Sequence, residues 1–346
     1  MDSISVDLKL FSHLPHLSQI LSGFLLLKKE GFVKDLNISF ERPQKGFEAI
    51  IQCFINNNYE IFFDVFDGYN NDYSVFKKCV KEADFYFKRS YSDKMNICLL
   101  GPDLSKKVRK LGFNYHVSIE GNPLDIPISI KERLKSYARS FLGRKNSSYF
   151  VPSVFESPPN KTIKNNIKIL FLTRTWRINE SKQSPEYVES VSRINNMRIE
   201  IVRELRKMGD NIICGFSKDS PYIPDKNLLC SKYLTNRSHY LNIMKSSDIC
   251  IGSTGLHNSI GWKTGEYVAA GRCIINERFN YEVPGEFKER VNYLPFETSE
   301  ECIQSVLYLL KNPQRIDEIK AQNLSYYNNF LRPDVLVKNA IIQVIG

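Results

Sequence analysis

Ser246-Ser247-Asp248-Ile249-Cys250-Ile251-Gly252-Ser253-Thr254-Gly255-Leu256-His257-Asn258-Ser259-Ile260-Gly261-Trp262-Lys263-Thr264-Gly265-Glu266-Tyr267-Val268-Ala269-Ala270-Gly271-Arg272-Cys273-Ile274-Ile275-Asn276 decides how the chain is to be read. Ile249-Cys250-Ile251 is a short apolar run of the kind that forms a buried strand. It gives way to a loop of small and hydroxyl residues, and a helix begins near Lys263. Cys273-Ile274-Ile275 then returns as a second strand. Strand, loop, helix, strand is a βαβ unit, which implies a parallel sheet flanked by helices. Ligands of such sheets sit beyond the carboxyl ends of the strands. There the exposed N–H groups and the positive end of a helix dipole favour phosphate. Lys263 adds a full positive charge beside the helix start. Glu266, one turn on, offers a carboxylate to two ribose hydroxyls. Taken singly, Lys263 is a solvated residue, Glu266 a surface carboxylate and Gly271 a helix C-cap. In this order after a buried strand they fit a nucleoside diphosphate.

The same alternation extends in both directions. Ile167–Thr173 and Asn211–Phe216 are strands, separated by a helix rich in Arg and Glu that ends near Gly209. Residues 240–245 are helical, and 299–310 and 312–329 are closing helices. Upstream, Val6–Phe11, Leu36–Phe40, Glu60–Val65 and Asp84–Phe87 read as strands, as does the apolar run Ile97-Cys98-Leu99-Leu100 before Gly101-Pro102. Residues 17–29 and 72–83 have helical spacing. Between 121 and 166 the pattern is broken by prolines and glycine. At 346 residues two domains are the natural expectation. The predicted fold is therefore α/β: two Rossmann-like domains with parallel sheets flanked by helices and a cleft between them. The N-terminal domain spans 1–151 and carries a basic helix at 129–145. A linker covers 152–166, and the C-terminal domain covers 167–346, with its last helix free to cross back.

The helix reading Lys263-x-x-Glu266-Tyr267-x-Ala269-x-Gly271, followed by an apolar strand, resembles the donor-binding helix of GT-B superfamily glycosyltransferases, those with a family 1/4-like C-terminal domain. The likeness extends loosely over residues 165–335; the N-terminal half matches in architecture only. It implies a sugar nucleotide as donor, UDP- or GDP-linked, with no further cofactor. It also implies that Glu266 holds the ribose and that the loop Ser253, Thr254, Gly255, His257, Asn258, Ser259 meets phosphate or sugar. Retaining members often carry Glu-x7-Glu, but this chain has Asn258-x7-Glu266, so inverting and retaining outcomes both stay open. A basic cluster after the first strand of the second half, Arg174, Arg177 and Lys182, stands where such enzymes clamp the diphosphate. Guanidinium supplies bidentate bonds to phosphate there, and lysine a point charge. Arg177 and Lys182 are alternatives to one another. The region Tyr233–Tyr240, with His239, flanks the base if the likeness holds, and Glu277 and Asn280-Tyr281 are further candidates.

An inverting transferase needs a base to take the acceptor's proton. His13 and Asp67 are the candidates, with His16 beside the first; each is also readable as loop or turn structure. Lys88-Arg89 either meets an anionic acceptor or faces water. There is no D-x-D tract at a strand end and no His/Cys cluster at zinc spacing, so the expectation is no metal. Eight scattered cysteines suit buried free thiols and a reducing compartment. No apolar run approaches the ~20 residues of a membrane span. The N-terminus lacks a secretory layout. The expected location is cytoplasmic, with peripheral contact to an anionic membrane where the 129–145 helix lies on its surface rather than between domains. The activity expected is transfer of a sugar to a glycan or lipid-linked glycan in surface polysaccharide synthesis. The alternatives are an inactive sugar-nucleotide-binding relative and a basic nucleic-acid-binding protein. The last is motivated by a net charge of +10, but that charge is spread over both halves among acidic residues.

Overall fold

The computed structural model describes residues 3–69, 72–125, 150–157 and 160–346. The basic helix expected at 129–145 and Pro158-Pro159 lie outside the described residues. The chain forms two compact units: Met1–Val154 with Asn280–Glu286 and Tyr327–Gly346, and Phe155–Phe279 with Phe287–Tyr326.

The first unit holds six strands: β1 (Ile4–Leu10), β2 (Val33–Phe40), β3 (Ile50–Ile55), β4 (Tyr59–Asp64), β5 (Phe85–Lys88) and β6 (Val108–Lys110). Their order is β2-β1-β3-β4-β5-β6. Along β1 the alternate residues Ile4, Val6, Leu8 and Leu10 are buried, as a strand with one covered face requires. Among the described residues this part of the chain carries α1 (Ser18–Lys29), α2 (Tyr73–Glu82) and α3 (Asp93–Leu100), besides the short helix Pro102–Ser105.

Two sequence expectations are corrected here. The sheet is mixed, because β3 runs antiparallel to both β1 and β4. Asn56 and Asn57 close the β3–β4 hairpin with φ of 53° and 55°. Asparagine tolerates this left-handed conformation, which the twist of a tight hairpin demands. The run Ile97–Leu100 is the end of α3, not a strand. Ser92 caps it by accepting the Met95 N–H, and Asp93 sits in its first turn.

The unit is completed by returning chain. Glu282 forms an antiparallel bridge with Tyr91 and an ion pair of 2.6 Å with Lys110. The C-terminal helix Pro333–Ile345 packs on α1 where Gly23 leaves room: a Cβ there would lie 2.2 Å from the Pro333 carbonyl oxygen. Gln19 of α1 donates to the Leu331 carbonyl at 3.1 Å.

The second unit has five strands, all parallel: β7 (Ile169–Thr173), β8 (Ile212–Phe216), β9 (Ile249–Gly252), β10 (Cys273–Glu277) and β11 (Tyr293–Phe296). Their order is β11-β10-β9-β7-β8, so the direction of strand addition reverses between β7 and β9. Among the described residues they are accompanied by α4 (Pro185–Arg206), α5 (Arg237–Ser246), α6 (Trp262–Ala269), α7 (Ser299–Lys311) and α8 (Pro313–Tyr326), besides the short helix Lys232–Thr235. Ser184 caps α4 by accepting the Tyr187 N–H, and Pro185 occupies its first position. Val191, Ile194, Val202 and Leu205 bury one stripe of α4. The core gathers Ile199, Ile201, Val202 and Leu205 of α4 with Ile169 and Phe171 of β7, Ile249 and Ile251 of β9, and Cys273 and Ile275 of β10. At about 25 cal/mol per Å² of apolar surface buried, each such side chain contributes roughly 1.5–3 kcal/mol. Seven of the eight cysteines are buried and free; Cys98 on α3 is exposed.

Candidate functional site

The reversal between β7 and β9 is where an open α/β sheet leaves a crevice at its carboxyl end. Arg174 follows β7 directly, and Ser253 and Thr254 follow β9. The β9 strand reaches this edge through Gly252, where a Cβ would stand 2.0 Å from Asn276 Oδ1. The loop then folds on itself: Gly255 donates to the Ser259 carbonyl at 2.8 Å, and a Cβ on Gly255 would meet Ser259 Oγ at 2.6 Å. His257 and Asn258 take left-handed φ values of 56° and 58° to make the turn. The loop feeds α6, whose N-cap is Gly261; no side chain caps that end and its first turn holds no acid. Its positive dipole end therefore meets no acid from its own first turn. Thr254 is buried, and its hydroxyl has no partner among the described residues.

Five cations converge on this edge. Arg174 lays its guanidinium over the Trp176 ring at 3.9 Å. Partial burial holds its pKa below the usual arginine range. Lys263, on the first turn of α6, donates to the Leu172 carbonyl at the end of β7 and stands 5.3 Å from the Tyr240 ring. Burial pulls its pKa down to about 8; Glu266 opposes the fall, while Arg198, Arg174 and Arg237 add to it. Arg198 reaches in from α4, 5% exposed, with Nε 2.9 Å from Ser253 Oγ. Its Nη1 donates to the Arg174 carbonyl at 2.6 Å and its Nη2 to the Thr254 carbonyl at 2.7 Å. Burial lowers its pKa to about 10, partly offset by Glu277. Arg237 and Arg193 complete the set. Each pairs with a carboxylate: Arg237 with Glu266 at 2.9 Å and Arg193 with Glu277 at 2.7 Å. Five cations thus face two carboxylates, leaving an excess of three positive charges beside an uncapped helix.

The residues expected from the sequence divide into three groups. Ser253, Thr254, Gly255, Ser259, Lys263 and Arg174 meet at the strand edge. His257 and Asn258 form its rim, with the His257 ring 5.8 Å from Tyr187. Arg177 and Lys182 are exposed on the loop between β7 and α4. Glu266 is not the open carboxylate expected of a surface residue. It is 2% exposed, with Oε1 accepting from Arg237 and Oε2 from the Tyr240 hydroxyl at 3.0 Å. Glu277 anchors the loop instead of lining open space, its Oε2 accepting the Thr254 N–H at 2.9 Å. His239 stacks on Tyr233, ring centroids 3.8 Å apart.

Sequence reasoning missed Arg198, Arg193 and Asn195. Asn195 bonds both the N–H and the carbonyl of Trp176, at 2.8 and 2.9 Å. A signal for two of them existed. Asn195 and Arg198 fall on the α4 stripe otherwise made by Val191, Ile194, Val202 and Leu205, and polar residues on a buried face need partners.

In the first unit, Asp67 and His16 face a common neighbour, Arg89. Arg89 bonds Asp67 at 2.7 Å. Burial and Arg89 lower the His16 pKa, with Asp67 opposing them. His13 lies apart, exposed and stacked on Phe40 at 4.2 Å. Lys88 and Arg89 do not face water. Lys88 is buried against Asp64 at 2.7 Å, beside the Tyr86 hydroxyl that also donates to Asp64. Tyr281 lies in this unit, 6.2 Å from Tyr69.

Residues 193–331 match the model of a family described as glycosyl transferase-like, a segment that contains α6 and Arg198. The likeness to glycosyltransferases drawn from Lys263, Glu266, Tyr267, Ala269 and Gly271 is thereby borne out. No curated protein matches the chain. Among solved structures, the C-terminal domain of the glycosyl transferase group 1 family protein LpcC from Francisella tularensis is 11% identical, at a TM-score of 0.34. That overlay covers 51% of this chain and 95% of that one. Anabaena HepE in complex with UDP and glucose is 11% identical at a TM-score of 0.40, covering 79% of this chain and 66% of that one. A putative UDP-N-acetylglucosamine 2-epimerase from Listeria monocytogenes is 15% identical at 0.38, covering 81% and 65%. The chain thus spans just under two thirds of the latter two. TM-scores below 0.5 lend these overlays no weight; the family match rests on the 193–331 segment.

Proposed function

With a glycosyl transferase-like domain over residues 193–331, we propose that this chain transfers a sugar from a nucleoside diphosphate to a glycan or lipid-linked glycan. The observation that carries the reading is the charge at the β7/β9 edge: among the described residues, five cations against two carboxylates, next to an α6 terminus that carries no side-chain cap and no acid in its first turn. Arg198 and Lys263 are the desolvated members of this set; buried cations without enough counter-charge are costly, and a diphosphate of two to three negative charges would balance them. As the glycosidic bond to the sugar breaks, charge accumulates on the departing phosphate. Arg174, Lys263 and the α6 N–H groups stand ready to receive it without reorganising. Thr254, with its free hydroxyl, adds a donor. With that charge met by side chains and helix N–H groups, transfer is expected to persist in chelator.

Glu266 retains acceptor capacity beyond Arg237 and Tyr240, since a carboxylate has about four lone-pair positions, and a ribose hydroxyl is assigned there. On the acceptor side, His16 with its lowered pKa is neutral at pH 7 and joins His13 and Asp67 as a base candidate. Among the described residues no helix is long and apolar enough to cross a membrane. Cytoplasmic location and a part in surface polysaccharide synthesis belong to the same proposal.

Calorimetric titration of UDP, GDP and inorganic pyrophosphate, with and without EDTA, tests it. Wild type is expected to bind a nucleoside diphosphate in both conditions. Glu266→Gln should weaken that binding tenfold or more while changing pyrophosphate affinity less than threefold. Equal losses for the two ligands would remove ribose from Glu266. No binding of any nucleoside diphosphate would remove the function.

A further inference from the structure

Most of the site is supplied by two loops that lie far apart in sequence, one after β7 and one after β9. Neither has a strand partner beyond its own sheet edge, and the register between them ends at Leu170↔Cys250. Something must hold the tips together. One side chain touches both: Arg198 donates to the Arg174 carbonyl on the first and to Ser253 Oγ and the Thr254 carbonyl on the second, all within 2.9 Å. All three acceptors are neutral. A surface arginine commonly pairs with a carboxylate, and a buried one needs its N–H groups satisfied. Here the planar fork is used for reach and direction, satisfying three acceptors at fixed angles, which a lysine ammonium on a flexible stem does not do.

We propose that Arg198 is a positioning residue: its guanidinium ties the β7 and β9 loops into one anion-binding edge, so that Arg174 and the α6 terminus address the same diphosphate. This rests on the donor reading above and goes beyond it, because it gives Arg198 a role through the two loops that it bonds. The neighbouring anchors point the same way. From α4, Asn195 fixes the backbone of Trp176, on which Arg174 stacks, and Arg193 holds Glu277, which accepts the Thr254 N–H. One helix thereby sets the geometry of both loops.

The test compares Arg198→Lys, which keeps the charge and loses the fork, with Arg198→Met, which loses both. Pyrophosphate and the nucleoside diphosphate that wild type binds are titrated into each, and thermal unfolding reports the fold. Where a variant does not fold, Ser253→Ala serves, since it removes one acceptor of the fork with little change in volume. Both arginine variants are expected to lose tenfold or more in affinity for pyrophosphate, and Arg198→Lys to lose nearly as much as Arg198→Met. Ser253→Ala is expected to lose two- to fivefold. In turnover, KM for the donor should rise more than kcat falls. Wild-type affinity in Arg198→Lys, or in Ser253→Ala where that variant stands in, overturns the positioning role while leaving the donor site in place. A wild type that binds no diphosphate fails at the donor reading instead.

Discussion

Replacing Lys263 with methionine should make the protein more stable and less able to bind. The Lys263 pKa of about 8 lies below the ordinary lysine value of about 10.4. At about 1.4 kcal/mol per unit, folding disfavours its protonated form by roughly 3 kcal/mol at pH 7, where both folded and unfolded chains carry the proton. Methionine removes that cost and keeps a flexible apolar stem against Tyr240. It also strands the Leu172 carbonyl, which costs about 1 kcal/mol. The net gain is about 2 kcal/mol, or roughly 4–8 °C in Tm for a unit of this size.

The pH dependence follows from the direction of the shift. Because the folded pKa is depressed, the penalty is full below about pH 8, shrinks as pH rises further, and is gone once the unfolded lysine has also lost its proton near 10.4. The advantage of Lys263→Met should therefore fade between pH 8 and 10.5. A bound diphosphate favours the protonated amine, so wild-type affinity should drop progressively above pH 8. The variant should bind ten- to a hundredfold more weakly at pH 7, the worth of one charge-assisted hydrogen bond. Thermal unfolding from pH 6 to 10.5, with titration of pyrophosphate at each pH, decides the matter. A variant less stable at pH 7, or a stability difference that stays constant from pH 7 to 10.5, would refute the reasoning.

Two further outcomes follow from contacts described above. Trp176→Ala removes the platform under Arg174 while Asn195 still holds the backbone, so pyrophosphate should bind about two- to fivefold more weakly, as expected for a cation–π contact of 0.5–1 kcal/mol; unchanged affinity would detach the stack from the site. Asp64→Ala leaves Lys88 buried without its carboxylate and should cost about 3–5 kcal/mol in urea unfolding. An unmoved midpoint would mean that Lys88 finds water.

What the sequence made legible were features with a local signature. Ile249-Cys250-Ile251, the small-residue loop and Lys263 predicted a strand, a turn and a cation at a helix start, and the structure has all three in that order. The β3–β4 hairpin was equally local, since Asn56-Asn57-Asn58 between two runs rich in Ile and Phe is a turn signal; overlooking it turned a mixed sheet into a parallel one. Ile97–Leu100 was ambiguous by length, and only the Ser92 cap distinguishes helix from strand. Long-range partners are a different matter. Nothing near Glu266 in sequence announces that Arg237 and Tyr240 will take its oxygens. Arg198 is visible only as a misfit on an apolar stripe, with no hint of which loops it will reach.

The way the first unit is assembled sets a timetable for its synthesis. Its sheet is made from the opening third of the chain, yet the groove over Gly23 waits for Pro333–Ile345. A nascent chain paused after residue 154 holds α1 with its packing partner still untranslated. Such an intermediate should recruit chaperones and be protease-sensitive until the helix Pro333–Ile345 leaves the ribosome. Truncations that spare every residue of the presumed donor site but remove this helix should therefore fail at the level of yield before they fail at the level of chemistry.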